Sequence, residues 1–107
     1  MSETLKLIQL LVAAADIRVS EHGYDELSND GLTAREIING VNAAILVEDY
    51  PDYPKGASVL VLQTGDNRQP VHVVWGIPKG KKSPAVLVTA YRPDALRWNA
   101  TYTERKS

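Results

Sequence analysis

The pattern of apolar and polar positions changes once along the chain, from a helical period to an extended one. Up to about residue 41, apolar side chains recur every three or four positions, as on the buried side of a helix. From residue 44 to residue 91 they form four short runs rich in Val, Ile and Leu, which are typical of strands. The pattern therefore predicts helices first and a sheet second.

The first predicted helix begins after a cap at Ser2 and ends at Ala14 or Ala15. Its apolar stripe consists of Leu5, Leu7, Ile8, Leu10, Leu11 and Val12. Such a wide stripe predicts a helix that is covered on more than one side or that meets a partner, for example in a homodimer. The run is too short to span a bilayer, and Glu3 stands where a signal peptide carries positive charge. We therefore expect no membrane partner and a cytoplasmic location.

Two shorter helices are predicted next, after a short extended connector "DIRVS". The stretch "EHGYDELSND" should end at Asp30-Gly31, since glycine tolerates the left-handed conformation that closes a helix. Thr33 and Glu36 have the spacing of a capping box, in which each satisfies an end donor of the following helix. These signals place both helices before the apolar runs.

The four predicted strands are "AAILVEDY", "ASVLVLQT", "PVHVVWGI" and "PAVLVTAY". Their links are short and rich in Gly, Pro, Asp, Asn or Lys, which favours antiparallel neighbours. The chain of 107 residues is therefore expected to be one α+β domain, residues 1–107. In it, N-terminal helices pack on one face of a four-stranded antiparallel sheet, and residues 99–107 form a frayed tail.

The stretch "VEDYPDYPKG" interrupts the apolar runs with three carboxylates. A metal site would need Glu48, Asp49 and Asp52 to converge, but successive strand side chains face opposite ways and no histidine is near. Each proline removes a hydrogen-bond donor and fixes φ, so a strand should end near Tyr50. A hairpin loop is predicted, with Glu48 facing solvent. A partner-binding edge and a metal site are the alternatives.

Composition excludes several classes of chemistry. Without cysteine the chain has no disulfide, thiolate metal site or cysteine nucleophile. It also has no Gly-rich phosphate loop and no serine-hydrolase spacing. Residues 1–53 hold three basic and ten acidic side chains, whereas residues 54–107 hold nine basic and three acidic ones. The two halves either neutralise each other or leave a basic part that can meet phosphate.

The two histidines, His22 and His72, are the side chains that can exchange a proton near neutral pH. In the third predicted strand, alternation puts Trp75 on the core face and His72 on the open face, where it can meet Tyr91 of the last strand. Structural roles compete with these. His22 can bond locally at a helix start, His72 can bond a backbone group, and Trp98 can close the core.

Five motifs occur in order along about residues 17–98. They are "SEHG" (20–23), "GLTAREIING" (31–40), "VEDYPDYPKG" (47–56), "QPVHVVWGI" (69–77) and "VTAYRPD" (88–94). Together they resemble a bacterial family called domain of unknown function 4258. That family is similar to small ribonuclease toxins of the RelE and BrnT type. The resemblance implies a RelE-like fold and an enzyme class, metal-independent endoribonuclease, with no metal or other cofactor.

The same resemblance implies which residues would act. Carried over by motif position, the catalytic candidates are His22, His72 and Tyr91. The family's short helix carries two arginines where this chain has Glu26 and Asp30. The cations for phosphate would then be Lys79, Lys81, Lys82, Arg92 and Arg97.

Two function classes follow from this comparison. The first is a toxin-type domain that cleaves or binds RNA through the sheet face bearing His72 and Tyr91. The second is a non-catalytic protein-interaction domain that kept the fold, lost the phosphate-binding arginines, and binds a small protein partner such as an antitoxin. Carboxylates at Glu26 and Asp30 favour the second class, and the order of the His and Tyr motifs favours the first.

Overall fold

The structure is a computed structural model that describes residues 2–106. Its helices are α1 (Glu3–Ala13), α2 (Glu21–Asn29) and α3 (Ala34–Gly40), followed by a 3-10 turn (Val41–Ala43). Its strands are β1 (Ile17–Val19), β2 (Ile45–Tyr50), β3 (Ser58–Thr64), β4 (Pro70–Gly76) and β5 (Ala85–Tyr91). Met1 and Ser107, the ends of the predicted single domain and of the predicted tail, lie outside the described residues.

The helix boundaries follow the predicted capping residues. The Ser2 hydroxyl accepts a hydrogen bond from the Leu5 N–H at 3.1 Å. Thr33 and Glu36 form the capping box, with the Glu36 N–H donating to Thr33 Oγ1 at 3.2 Å and the Thr33 N–H donating to Glu36 Oε2 at 2.9 Å. Gly31 has φ +67°, the left-handed conformation expected after α2. All three local predictions are confirmed.

The strands pair in the order β1-β5-β4-β3-β2. Strands β2 to β5 form the predicted antiparallel meander. The prediction of four strands is wrong, because the connector Ile17–Val19 pairs with β5 as a fifth strand, in parallel. Three residues are too few to show an alternating pattern, and their partner lies at the far end of the chain. The sheet is therefore mostly antiparallel with one parallel edge pair.

The prolines end β2 where they were predicted to end it. The chain turns through residues 51–57, and Gly56 has φ +125°. A Cβ atom on Gly56 would clash with the Ile77 carbonyl, so this turn needs glycine for space as well as for conformation. The stretch with three carboxylates is thus the end of β2 followed by a hairpin loop, residues 51–57, that leads to β3.

The helices cover one face of the sheet and leave the other face to the rest of the chain. The predicted alternation of β4 is confirmed, with the fully buried Trp75 on the helix-covered side and His72 on the opposite side. The core under the helices consists mainly of Ile8, Leu27, Ile37, Val41, Val59, Val61, Val71, Val73, Trp75 and Leu87. The face without helices is named the outer face below.

One polar side chain joins α3 to the sheet inside this core. Gln63 on β3 is 2 % exposed. Its amide nitrogen donates to the Ile37 carbonyl at 2.7 Å, and its amide oxygen accepts from the Trp75 indole N–H at 2.9 Å. Since buried polar groups are costly without partners, these two bonds set the position of α3 on the sheet.

The C-terminal residues differ from the predicted frayed tail. Trp98 is buried and pairs with Arg105 in an isolated bridge. The turn between them is held by the Asn99 side chain, whose Oδ1 accepts from the N–H groups of Thr103 at 3.0 Å and Glu104 at 3.3 Å. The polar sequence hides this order because the apolar anchor is a single tryptophan. Residues 98–106 are named the C-terminal cover.

We predict that Gln63→Leu lowers the free energy of unfolding by about 2 kcal/mol or more, because it leaves the Trp75 indole N–H and the Ile37 carbonyl unpaired in the core. Urea unfolding measures the loss. Adding Trp75→Phe removes one orphaned donor, so the double variant should lose less than the sum of the two single variants. The exposed Gln69→Leu is the control and should change stability by less than about 0.5 kcal/mol. Full additivity would contradict the proposed link.

Candidate functional site

A groove of about 660 Å³ opens on the outer face of the sheet. Its floor is made of apolar or small residues, among them Leu60, Val74, Gly76, Val86 and Val88. Its polar and aromatic walls are Arg18, Glu48, Tyr50, Tyr53, Lys55, Tyr91 and Arg105. This outer-face groove combines five elements, β1 to β5, with the C-terminal cover.

The groove is deep at its floor because β4 ends in a glycine, which has no side chain, beside a bulge in β5. The register of β4 and β5 shifts between Val74 and Trp75, so Val88 is an extra residue on β5. A Cβ atom on Gly76 would lie 3.5 Å from Val88 Cγ2. The bulge also turns the Val88 carbonyl to the Ser20 hydroxyl, which donates to it at 2.9 Å at the start of α2.

A second bulge places Glu48 in the groove. The register of β2 shifts between Leu46 and Glu48, so Glu48 pairs with Leu60 of the outer face. Without the extra residue, strict alternation would put Glu48 on the core side together with Leu46. The bulge therefore keeps a carboxylate out of the core and directs it to the groove. The prediction that Glu48 faces solvent is incomplete, since its side chain is only 26 % exposed and is paired.

Glu48 is held by a guanidinium and a phenol. Arg105 donates from Nε to Oε2 at 3.1 Å and from Nη2 to Oε1 at 3.2 Å, and the Tyr50 hydroxyl donates to Oε1 at 2.8 Å. The Arg105 hydrogen bond, followed by that of Tyr50, keeps the pKa of Glu48 below its ordinary value despite partial burial. The hydrogen bond to Glu48, together with partial burial, raises the pKa of Tyr50. Glu48 is thus an ionised carboxylate at neutral pH.

His72 lies under the C-terminal cover and is fully buried. Its Nε2 lies 2.7 Å from the Tyr102 carbonyl, and because a carbonyl only accepts, Nε2 carries the proton. Within residues 2–106, the Nδ1 atom has no hydrogen-bond partner. Burial, which outweighs the Tyr102 carbonyl, lowers the pKa of His72. The predicted open position of His72 differs from the structure because Trp98 covers the ring, with 4.3 Å between ring centroids.

Tyr91 stands beside His72 as predicted. The two residues are paired across β4 and β5, and their rings meet edge to face at 5.5 Å. Tyr91 is half-buried and lines the groove. Burial raises the pKa of Tyr91, so its hydroxyl is protonated at neutral pH. Of the three catalytic candidates, the structure brings His72 and Tyr91 together.

His22 lies elsewhere, on α2. Its side chain is 66 % exposed, and its Nε2 lies 3.8 Å from Glu26 Oε1 on the same helix. It is not among the residues that line the outer-face groove. His22 therefore does not share a pocket with His72 and Tyr91.

The five cations predicted from the resemblance occupy three places. Lys79 and Lys81 line a second cavity of about 480 Å³ between α1 and two hairpin loops, and Lys82 is exposed nearby in sequence. The Arg92 N–H and guanidinium donate to Asp30 at 2.8 and 3.2 Å. Arg97 is exposed and lies 4.0 Å from Asp94.

The cations that line the groove are different ones, Arg18, Lys55 and Arg105. Sequence reasoning missed Arg18 because β1 was not recognised as a strand, and Arg105 because the tail was expected to fray. It missed the role of Glu48 because a bulge leaves no simple sequence signal. The one signal available was the pair of Tyr-Pro steps, which put two tyrosines beside the strand end.

A family model for a domain of unknown function (DUF4258) matches residues 19–92, well over half of the chain. The chain belongs to this family. The match includes α2, α3 and strands β2 to β5, and it ends before the C-terminal cover. Searches of curated proteins and of solved structures gave no significant match. The similarity to RelE and BrnT toxins stays a prediction.

Two further observations bear on this DUF4258 member. Over residues 2–106, no three His, Asp or Glu side chains come together as a metal site would require. None of the helices described is long and apolar enough to cross a membrane.

We predict that acidification below the ordinary histidine pKa of 6.5 destabilises the fold through His72. The folded protein keeps His72 neutral while the unfolded chain binds a proton, so the free energy of unfolding falls as the pH drops from 7 to 5, by at most about 1.4 kcal/mol per pH unit. Urea unfolding at each pH should show a shallower dependence for His72→Gln. The exposed His22→Gln is the control and should keep the wild-type slope. An unchanged slope in His72→Gln would contradict the buried neutral state.

Proposed function

We propose that this DUF4258 member binds single-stranded RNA in the outer-face groove. The observation that carries the proposal is one open groove lined by three tyrosines and three cations. Proteins that bind single strands combine aromatic platforms for the bases with a basic groove for the backbone.

The tyrosines provide platforms at two sides of the groove. Tyr50 and Tyr53 meet edge to face with 6.5 Å between ring centroids, and they are 44 % and 51 % exposed. Tyr91 lies on β5, on the other side of the floor. Exposed rings of this kind can stack on bases, and stacking one base contributes about 1–3 kcal/mol.

The cations supply the electrostatic part of binding. Arg18, Lys55 and Arg105 oppose a single carboxylate, Glu48, within the groove. Lys55 is also next to the lysine-rich turn, because its carbonyl accepts from the Lys79 N–H at 3.2 Å. An RNA strand bound at Lys55 therefore extends toward Lys79, and the basic turn provides a secondary contact to the phosphates.

A non-catalytic protein-interaction domain is the second candidate, and the burial of His72 favours it. A histidine beneath the C-terminal cover cannot exchange protons with a substrate in this conformation. In that case the partner would be a small protein or a second copy bound through α1, where Leu10 is 69 % exposed. RNA binding is preferred because the groove, unlike α1, combines aromatic rings with cations.

We predict that a fluorescently labelled single-stranded RNA binds the protein in EDTA, and that Arg18→Gln with Lys55→Gln weakens binding at least about tenfold in low salt. Each lost phosphate contact should reduce the slope of log K against log salt by about 0.7, so the double variant should lose about 1.4. Fluorescence anisotropy at several salt concentrations measures both quantities. Tyr91→Ala should weaken binding with little change in slope.

The matched control is Lys81→Gln with Lys82→Gln, which removes the same charge from the turn. It should weaken binding less than the groove variant. If the turn variant loses more affinity than the groove variant, the RNA lies on the basic turn and the groove assignment is wrong. If wild-type protein binds no RNA but forms a tight complex with a protein partner, the interaction-domain hypothesis replaces this one.

A further inference from the structure

We propose that the C-terminal cover is a pH-sensitive closure of the outer face. It lies on the sheet while His72 is neutral, and it leaves the sheet as a unit when the imidazole binds a proton at its second nitrogen. The helices and strands stay folded in both states. The closure controls access to a strip of the outer face beside the groove, and the use of that strip by RNA rests on the proposed function.

The cover is organised by its own hydrogen bonds. Within residues 2–106, the backbone hydrogen bonds of residues 98–106 all run to residues 94–106. Examples are the Asn99 N–H to the Glu104 carbonyl at 2.8 Å and the Lys106 N–H to the Arg97 carbonyl at 2.9 Å. The cover also lies beyond residues 19–92, which the family model matches. It can therefore leave the sheet without breaking a backbone bond of the strands.

Within residues 2–106, three polar or aromatic contacts hold the cover on the sheet. Trp98 lies against the His72 ring, and the Tyr102 carbonyl accepts from His72 Nε2 at 2.7 Å. The third contact is the Arg105 ion pair with Glu48. Arg105 is 62 % exposed, and ion pairs that water can reach stabilise a structure little. The cover therefore depends mainly on His72.

A charged His72 does not fit beneath the closed cover. The residue is fully buried, and its Nδ1 has no hydrogen-bond partner within residues 2–106. A proton on Nδ1 would place an unpaired donor and a positive charge in this buried site, which is costly. In the open state, water hydrates both ring nitrogens. Proton uptake therefore favours the open state over the closed one.

The groups that face His72 keep their charges between pH 7 and 5. Burial raises the pKa of Tyr91 on β5, so this hydroxyl stays protonated, and Leu62 faces His72 from β3 without a charge. The Arg105 hydrogen bond lowers the pKa of Glu48 on β2, so this carboxylate stays ionised. The guanidinium of Arg105 opposes a charge on His72 and the carboxylate of Glu48 favours it. Within this cluster, the charge that changes is that of His72.

Opening uncovers a strip of the outer face that adjoins the groove. His72 lies in register between Leu62 of β3 and Tyr91 of β5, and Tyr91 also lines the groove. Arg105 leaves the groove together with the cover. The uncovered imidazolium of His72 takes its place as a cation, beside the ring of Tyr91. The proton that opens the cover thus also charges the surface that it exposes.

The pH range of the closure follows from histidine. The exposed ring of the open state has the ordinary pKa of 6.5, and burial lowers the pKa of the ring in the closed state. Between these two values, each fall of one pH unit multiplies the ratio of open to closed molecules by up to about ten. The cover is therefore closed at neutral pH and opens progressively below pH 6.5.

NMR spectra of ¹⁵N-labelled wild-type protein test the closure, because the two tryptophans report on its two parts. Trp75 lies in the core and Trp98 in the cover. As the pH falls from 7 to 5, the Trp98 indole signal should move toward that of a solvent-exposed indole, while the Trp75 signal stays in place. The ring nitrogens of His72 should titrate with the same midpoint as the Trp98 signal.

Two substitutions of His72 remove the site of protonation. His72→Gln keeps a donor for the Tyr102 carbonyl, and His72→Phe keeps a ring for Trp98. In both variants the Trp98 signal should lose its pH dependence. His22→Gln removes the exposed histidine and is the matched control, which should respond to pH like wild type. Glu48→Gln removes the ion pair with Arg105, so its cover should open at a higher pH than that of wild type.

Three results would overturn the closure. One is a Trp98 signal that stays constant down to pH 5, and another is a joint change of the Trp75 and Trp98 signals, which would show that the whole domain unfolds. The third is a Trp98 midpoint that differs from the His72 midpoint or that persists in both His72 variants. None of these samples contains RNA. Failure of the closure therefore leaves the RNA-binding proposal in place, and an absence of RNA binding leaves the closure in place.

Discussion

One constraint organises this domain: its helices cover a single face of the sheet, so the other face must be covered by the chain itself or stay open. The C-terminal cover shields part of the outer face, because Trp98 buries His72 and Arg105 reaches the edge strand at Glu48. The part of the outer face that the cover does not reach is the groove. The position of the cover therefore decides both that His72 is buried and that Arg105 lines the groove.

Two bulges determine which side chains lie on the outer face. The bulge in β2 moves Glu48 from the core side to the groove, and the bulge in β5 sets Val88 beside Gly76 and offers its carbonyl to α2. Bulges near sites re-aim side chains at the cost of local ladder bonds. Here they let a sheet with a continuous apolar core on one side carry ionised and aromatic residues on the other.

Local signals predicted most of the fold, and long-range contacts account for most of what the sequence did not show. The caps at Ser2 and Thr33, the turn at Gly31 and the alternation in β4 all follow from a few neighbouring residues, and all are confirmed. Strand β1 is held by β5, and the C-terminal cover is held by β4 and β2, so neither leaves a pattern in its own stretch. The same holds for the site. The alternation of side chains along the strands predicted the contact of His72 with Tyr91, but no local pattern predicted the Glu48–Arg105 pair.

The most direct test of the groove is an NMR titration of labelled protein with a short single strand of 2′-O-methyl RNA, which cannot be cleaved through a 2′-hydroxyl. The account predicts that amide shifts change along the outer-face positions of β2, β4 and β5 and at Arg105, with the helix-covered core unaffected. Shift changes confined to α1, to α2 or to the Lys79–Lys82 turn would contradict it, as would a spectrum that does not change at all.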